Sequence, residues 1–348
     1  MSVKNFTSVN KSNPNRIALF DMIKCIMVLC VIFTHLDWSV EQRQWFIFPY
    51  FVDMAVPIFL LLSAYFRANK WDTKQETLRI KFSSSIKESI NLLYLYAIVM
   101  LVNVLLSYAN HLVAVKPFSG FSSLRSFVMW LLSGESGPGS YYVPLLIQVV
   151  FLLPILYVLF EKNKWLGLLT CFLVNVLVDA LFATRAEHYM YIFVYRLISL
   201  RYLFVLGLGI FLSKQDVRSK VDTFIATLFG IIGAILIFVN HSIEPFSWFY
   251  GWKSTSFLCV PFAYALLFFM IKYGRKISAT LLSKLGVASY HIYLTQMLYF
   301  SAVAPFLAVQ FKVSSLNLWN GLFAFLICLF GGYTFYKMDL FMRLRGKR

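Results

Sequence analysis

The chain of 348 residues is 60% hydrophobic and 18% aromatic, yet only 14% charged, against about 25% charged in an ordinary soluble domain. That deficit excludes a water-soluble enzyme: a bilayer crossing takes roughly 20 apolar residues, so the apolar content furnishes about ten crossings and leaves no room for a large soluble domain. The net charge of +17 lies in short patches beside apolar segments, which excludes the nucleic-acid reading that a soluble protein of this charge would invite.

Apolar windows fall in chain order at 17–36, 45–66, 86–107, 141–160, 165–183, 194–213, 221–240, 254–272, 286–308 and 317–336. A further apolar piece, 124–132, is too short to cross and is expected to lie at the membrane surface or re-enter. The first window carries charge and has no small-x-small cleavage site after it, so it is read as a retained helix rather than a signal peptide. The fold class is therefore an all-α integral membrane protein of about ten transmembrane helices. A tail over 1–16 precedes a membrane domain over 17–336, and a basic tail over 337–348 follows it.

With the amino terminus inside, 23 of the 32 Lys and Arg fall in inner segments and seven in outer ones, while Lys24 and Arg201 lie within windows. This bias predicts that both termini are cytoplasmic. The five cysteines, Cys25, Cys30, Cys171, Cys259 and Cys328, sit in apolar stretches without a C-x-x-C pair. They read as packing residues, with no metal site and no disulfide frame.

An ionisable residue inside a crossing costs about 2.5–3.5 kcal/mol on the insertion scale, so each needs a reason. The first window holds Asp21, Lys24 and His35. Asp21 and Lys24, three apart, can pair on one helical face. Lys24 and His35 are eleven apart, which on a helix leaves them about 20° from alignment and roughly 16 Å apart along the axis. Lysine snorkelling at the inner end and a boundary position for the histidine are one reading. The other is a cation at the inner end and a titratable imidazole at the outer end, which suits a charged donor inside and proton transfer outside.

Arg201, within the sixth window, is either an interfacial arginine or a group that steadies an oxyanion or a glycan carboxylate. Arg79, Lys81 and Lys87 are inner-segment bases able to hold phosphates. Glu135 lies in the Gly- and Ser-rich outer segment 133–140, where loop mobility suits substrate access. Ser63 either lines a donor path or bonds its own helix backbone. Asp179 has Arg185 and Arg196 as candidate partners, and His111, His188, His241 and His291 read as interfacial, with no acid at ligand spacing.

Four motifs carry a family resemblance. Asp21-Met-Ile-Lys24, followed by ten residues and then His35, resembles the D-x-x-R and R-x10-H signature of acyltransferase family 3, the bacterial multi-pass membrane O-acyltransferases, with Lys24 at the arginine position. The stretch from Val56-Pro57-Ile58-Phe59 to Ser63-Ala64-Tyr65 is similar to its V-P-[LI]-F-F-x-x-S-G-[YF] segment. Gly139-Ser140-Tyr141-Tyr142, opening the fourth window, is similar to its H-x-W-[FY], and Leu285-Gly286-Val287-Ala288-Ser289 through Ile292-Tyr293 to its L-G-x-x-S-x-x-I-Y. Gly139 and Ser140 stand where a histidine is common, and so does Gln296 after the I-Y-L run.

The resemblance implies a membrane O-acyltransferase of the bacterial cytoplasmic (inner) membrane. Such an enzyme moves an acyl group, usually acetyl, from cytoplasmic acyl-CoA to a hydroxyl of a surface polysaccharide, lipopolysaccharide or lipid-linked glycan. It further implies His35 as catalytic residue, acting as general base or as acyl carrier. The donor side is expected to draw on Lys24, Asp21, Arg79, Lys81, Lys87 and Ser63, the acceptor side on Arg201, Glu135 and Tyr142. Acyl-CoA is expected as co-substrate with no tightly bound cofactor, and the bilayer and a glycan as partners, without nucleic acid. A transporter or flippase for a lipid-linked glycan is the alternative reading.

Overall fold

Apolar side chains repeating at helical spacing with no β-type alternation require helices, and every regular element among the described residues is helical. The computed structural model describes residues 14–36, 38–112, 124–133, 137–183, 194–240, 259–274, 281–311 and 318–345. Helix α1 spans Pro14–Thr34, α2 Val40–Trp45, α3 Ala55–Lys74, α4 Leu78–Leu112 and α5 Leu124–Ser133. Then come α6 (Tyr142–Lys162), α7 (Lys164–Ala183), α8 (Leu203–Ser213), α9 (Lys220–Phe238) and α10 (Val260–Tyr273). The last four are α11 (Leu281–Val287), α12 (Ser289–Leu298), α13 (Ala304–Phe311) and α14 (Leu318–Arg345).

Each predicted window holds a helix. Six helical segments among the described residues are long and apolar enough to cross a membrane: Phe48–Lys74, Leu78–Leu112, Tyr142–Lys162, Lys164–Phe182, Lys220–Phe238 and Gly321–Arg345. Ser199–Ser213 and Val260–Tyr273 are shorter apolar helices. On α7 the exposed Leu166, Leu169, Leu173, Leu177 and Leu181 recur at three- and four-residue steps. Phe224, Leu228, Ile231, Ile235 and Phe238 do the same on α9. Continuous outward apolar stripes of this kind are stable against lipid and costly against water.

Three segments depart from the windows. In the second window the continuous α-helix begins at Ala55 rather than near 45, because Ile47 adopts a left-handed conformation and Pro49 opens a 3-10 turn over Phe48–Tyr50. The sixth opens with a 3-10 turn, Ser199–Tyr202, before α8. The ninth is broken by a π-helical turn, Tyr299–Val303, between α12 and α13. The carboxy-terminal basic tail is helical through Arg345, as the end of α14.

The chain divides into two compact units, one formed by Met1–Leu19, Ile47–Ser89 and Leu145–Ala279, the other by Phe20–Phe46, Ile90–Pro144 and Thr280–Arg348. In the first, α8 is buried over its whole length and packs chiefly on α3 and α7, while α9 packs on α10. The approach of α8 to α3 is set by Gly209, where any Cβ would meet the Leu61 carbonyl and Ala64 Cβ.

In the second unit α12 packs on α14, and the segment leading into it touches α1. A Cβ on Gly286 would overlap the backbone carbonyl of Asp21, so only glycine lets α11 approach so closely. At the start of α12, Tyr290 Oη donates to the Leu92 carbonyl at 3.1 Å. The next residue, His291, shares a hydrogen bond with Asp339 of α14 through Nε2 at 3.2 Å. Arg343 Nε donates to the other Asp339 oxygen at 2.8 Å. His291 is thus buried and paired with an acid, although the sequence spacing suggests neither.

Two outcomes follow for this unit. Gly286→Ala is expected to lower the thermal midpoint of the detergent-solubilised protein, at about 1–3 kcal/mol of overpacking. Gly321→Ala, whose Cβ would meet only Leu36 at 3.5 Å, does not lower the midpoint, since alanine is the better helix former by up to about 1 kcal/mol. Asp339→Ala strands a buried imidazole and is expected to destabilise by about 1–3 kcal/mol in the same measurement, with Asp339→Asn losing less.

Candidate functional site

The site begins on α1. Asp21 and Lys24 form an ion pair at 2.6 Å, as their three-residue spacing predicts. Asp21 is buried and the Lys24 side chain retains 30% exposure. The lysine charge is therefore answered by its neighbour while its side chain stays partly exposed. Because Gly286 presses on the Asp21 backbone, the Leu285-Gly286 motif fixes where this pair stands.

His35 lies just beyond the last residue of α1. The last carbonyls of a helix lack intrahelical donors, and two side chains from beyond the helix, Trp38 and Arg43, supply them here, while Thr34 bonds back within its own helix. Thr34 Oγ1 donates to the Cys30 carbonyl at 3.0 Å, and Trp38 Nε1 to the Phe33 carbonyl at 2.6 Å. Arg43 Nη2 donates to the Thr34 carbonyl at 3.5 Å, which also places a cation at the negative end of the helix dipole. Trp38 and Phe46 pack on Phe33 with centroids 4.5 and 6.0 Å away. The half-buried His35 imidazole lies 5.9 Å from the Phe300 ring of the π turn, within electrostatic reach of Arg43.

The turn over 137–140 packs onto α12 rather than standing out as a mobile loop. Gly137 and Gly139 take φ of 143° and 87°, values that favour glycine. Tyr293 Oη donates to the Gly139 carbonyl, and Gln296 Nε2 donates to the Pro138 carbonyl at 3.3 Å. A Cβ on Gly137 would strike Met297. Tyr142 is buried, its ring edge-on to Tyr293 at 5.5 Å. Glu135 lies outside the described residues.

The remaining candidates belong to the other unit. Ser63 accepts a hydrogen bond from Arg67, which also pairs with Glu88. Arg79 and Lys87 are exposed, but Lys81 is buried, its Nζ 4.0 Å from the Tyr157 ring centroid and 3.7 Å from Glu161. Tyr157 donates to Asp72, which also pairs with Lys214. Asp72, Tyr157 and Lys214 escape sequence reasoning because their partners lie far along the chain, and Arg67 because Glu88 stands on another helix. The available signal is that tyrosine and charge recur at the ends of apolar windows.

Arg201 is buried in its 3-10 turn, with the guanidinium 3.9 Å from the Tyr195 ring and 4.8 Å from that of Tyr202. Asp179 accepts from Tyr195 at 2.8 Å and from Asn175 at 3.3 Å, with Arg201 in electrostatic reach. It thus meets Tyr195 and stands within reach of Arg201; of the partners the sequence suggested, Arg185 lies outside the described residues. Gln148 braces the turn, accepting from Ser199 N at 3.1 Å and donating to the Leu197 carbonyl at 2.7 Å. Among the described residues no group of three His, Cys, Asp or Glu side chains is placed to hold a metal ion.

The structure therefore brings Asp21 and Lys24 together directly, and places His35 and Tyr142 against the same α12 and π-turn stretch. The sequence model of a family described as an acyltransferase domain, Acyl_transf_3, matches residues 17–337, nearly the whole chain. No curated protein and no solved structure matches it. With helices able to cross a membrane and a match of that extent, the chain belongs to the acyltransferase 3 family and is a multi-pass membrane acyltransferase.

Proposed function

We propose that the protein is an O-acyltransferase, in the first instance an O-acetyltransferase, of the bacterial inner membrane. It crosses ten times with both termini cytoplasmic, takes acyl-CoA from inside and acylates a hydroxyl of a surface polysaccharide, lipopolysaccharide or lipid-linked glycan outside. The observation that carries this reading is α1 itself, with a paired but partly exposed cation at Lys24 and an imidazole beyond its capped far end, eleven residues or roughly 16 Å along the axis.

A sugar hydroxyl is a poor nucleophile at neutral pH. As general base, His35 takes the hydroxyl proton while the oxygen attacks the thioester carbonyl. The new C–O bond replaces the C–S bond, and the coenzyme A thiolate regains a proton from the imidazolium. In the covalent variant the imidazole attacks first and the hydroxyl then resolves the acyl-histidine. Lys24, held by Asp21, attracts the coenzyme A phosphates as a point charge, with Arg79, Lys81, Lys87 and Ser63 assigned to the same donor. Arg201, Tyr142 and Glu135 are assigned to the acceptor and the oxyanion.

His35→Ala is expected to yield a folded, membrane-inserted protein whose acylation falls by at least about 100-fold. Mass spectrometry of surface glycans from cells carrying only that variant checks it, since each acyl group adds a fixed mass; full acylation sinks the assignment. Lys24→Ala is expected to raise the KM for acyl-CoA by about 10- to 100-fold, the value of a charge-assisted hydrogen bond, while Lys24→Arg retains donor use. An unchanged KM in Lys24→Ala assigns the lysine a structural role.

A further inference from the structure

Helix α2 sets a cation and an aromatic surface at the end of α1 that leads to His35. Its start is closed by a capping box, with Gln42 N donating to Ser39 Oγ at 3.2 Å and Ser39 N to Gln42 Oε1 at 3.0 Å. At its other end Phe46 packs on Phe33 of α1, and between them Arg43 bonds the Thr34 carbonyl. The guanidinium is thus tied to the residue before His35, yet Arg43 stays exposed.

Trp45 stands two residues on, about 200° round the helix, and so faces away from that contact. It is 86% exposed, with Val40 at 74% and Phe46 at 54%. In a membrane protein, tryptophan beside the end of a crossing belongs at the headgroup boundary, where its ring is covered by lipid and its N–H stays wet. A short helix with an apolar and a charged side lies in that plane. Through the Arg43 bond and the Phe33–Phe46 contact, α2 ties His35 to the same depth.

A sugar hydroxyl reaches an imidazole at headgroup depth when its glycan is held there by a lipid. The apolar composition leaves no room for a large soluble domain that would capture a polymer farther out. A glycan joined to its lipid through phosphate also brings an anion to that level, and a guanidinium matches phosphate in charge and in the fork of its N–H groups. We infer that the acceptor is a glycan carried on a phosphate-linked membrane lipid, and that Arg43 is a specificity-determining residue that holds its phosphate beside His35. The inference rests on the acyltransfer reading above, and it makes a glycan released from its lipid a poor substrate.

The test uses purified full-length protein in phospholipid–detergent micelles, open to both faces, with radiolabelled acetyl-CoA and two acceptors. One is the lipid-linked glycan extracted from cells lacking the gene; the other is the same glycan freed of lipid and phosphate by mild acid. For wild-type protein, kcat/KM on the lipid-linked form is expected to exceed that on the freed glycan by at least about 10-fold. Arg43→Gln is expected to raise the KM for the lipid-linked form about 10-fold, the value of a charge-assisted hydrogen bond, and so to narrow the preference. Arg43→Lys, which keeps the charge, restores most of it. Equal kcat/KM on the two acceptors, or a preference for the freed glycan, overturns this inference and leaves acyl transfer standing. A preference that Arg43→Gln keeps in full overturns the role of Arg43. Wild-type protein that labels neither acceptor overturns the acyltransfer reading and this inference with it.

Discussion

A charge or polar group in an apolar interior has to be answered within a few ångströms, because no water is there to answer it. That constraint organises this chain. Asp21 answers Lys24, Asp339 answers both His291 and Arg343, Asp72 answers Lys214, and Asp179 is answered by Tyr195 and Asn175. Asp339 and Asp72 reach partners on other elements and so fix how those elements stand against one another. Two buried cations also lie against rings, Arg201 over Tyr195 and Lys81 over Tyr157.

The segment from Gly286 to Ser301 gathers the second unit. Its first glycine meets the backbone of α1 at Asp21, its tyrosine and glutamine hold the turn before α6, and its π turn presents Phe300 to His35. π-helical turns recur at functional sites because the extra residue redirects the side chains that follow. Ser301, in this turn, bonds Asn103 at 3.0 Å, so its polar side is anchored to α4. The motifs at Asp21, Gly139 and Gly286 thus lie far apart in sequence but share one support.

Local features were legible in the sequence, and long-range pairs were not. The apolar windows located the helices because hydrophobicity acts over a single turn, and the Asp21–Lys24 pair followed from spacing alone. The second window was displaced because Ile47 and Pro49 break the chain through backbone conformation, to which a hydropathy average is blind. The bond between His291 and Asp339 spans 48 residues and that between Tyr157 and Asp72 spans 85, distances over which no periodicity extends. The packed state of the turn at 137–140 was likewise hidden, since its Gly and Ser composition reads as a loose loop until Tyr293 and Gln296 are seen to grip it.

Helix α4, Leu78–Leu112, has 35 residues and so measures about 52 Å at 1.5 Å per residue, against a hydrocarbon layer of about 30 Å. Its apolar window starts only at residue 86, which leaves about 12 Å of polar helix ahead of it. Such mismatch is relieved by tilt or by protrusion into the headgroups, and the serines, Arg79 and Lys81 of that first stretch make protrusion the lower-energy choice. The burial of Lys81 against Tyr157 and Trp71 is then a burial in protein and not in lipid. Bilayer thickness leaves it untouched, because its surroundings are the Tyr157 and Trp71 rings and Glu161.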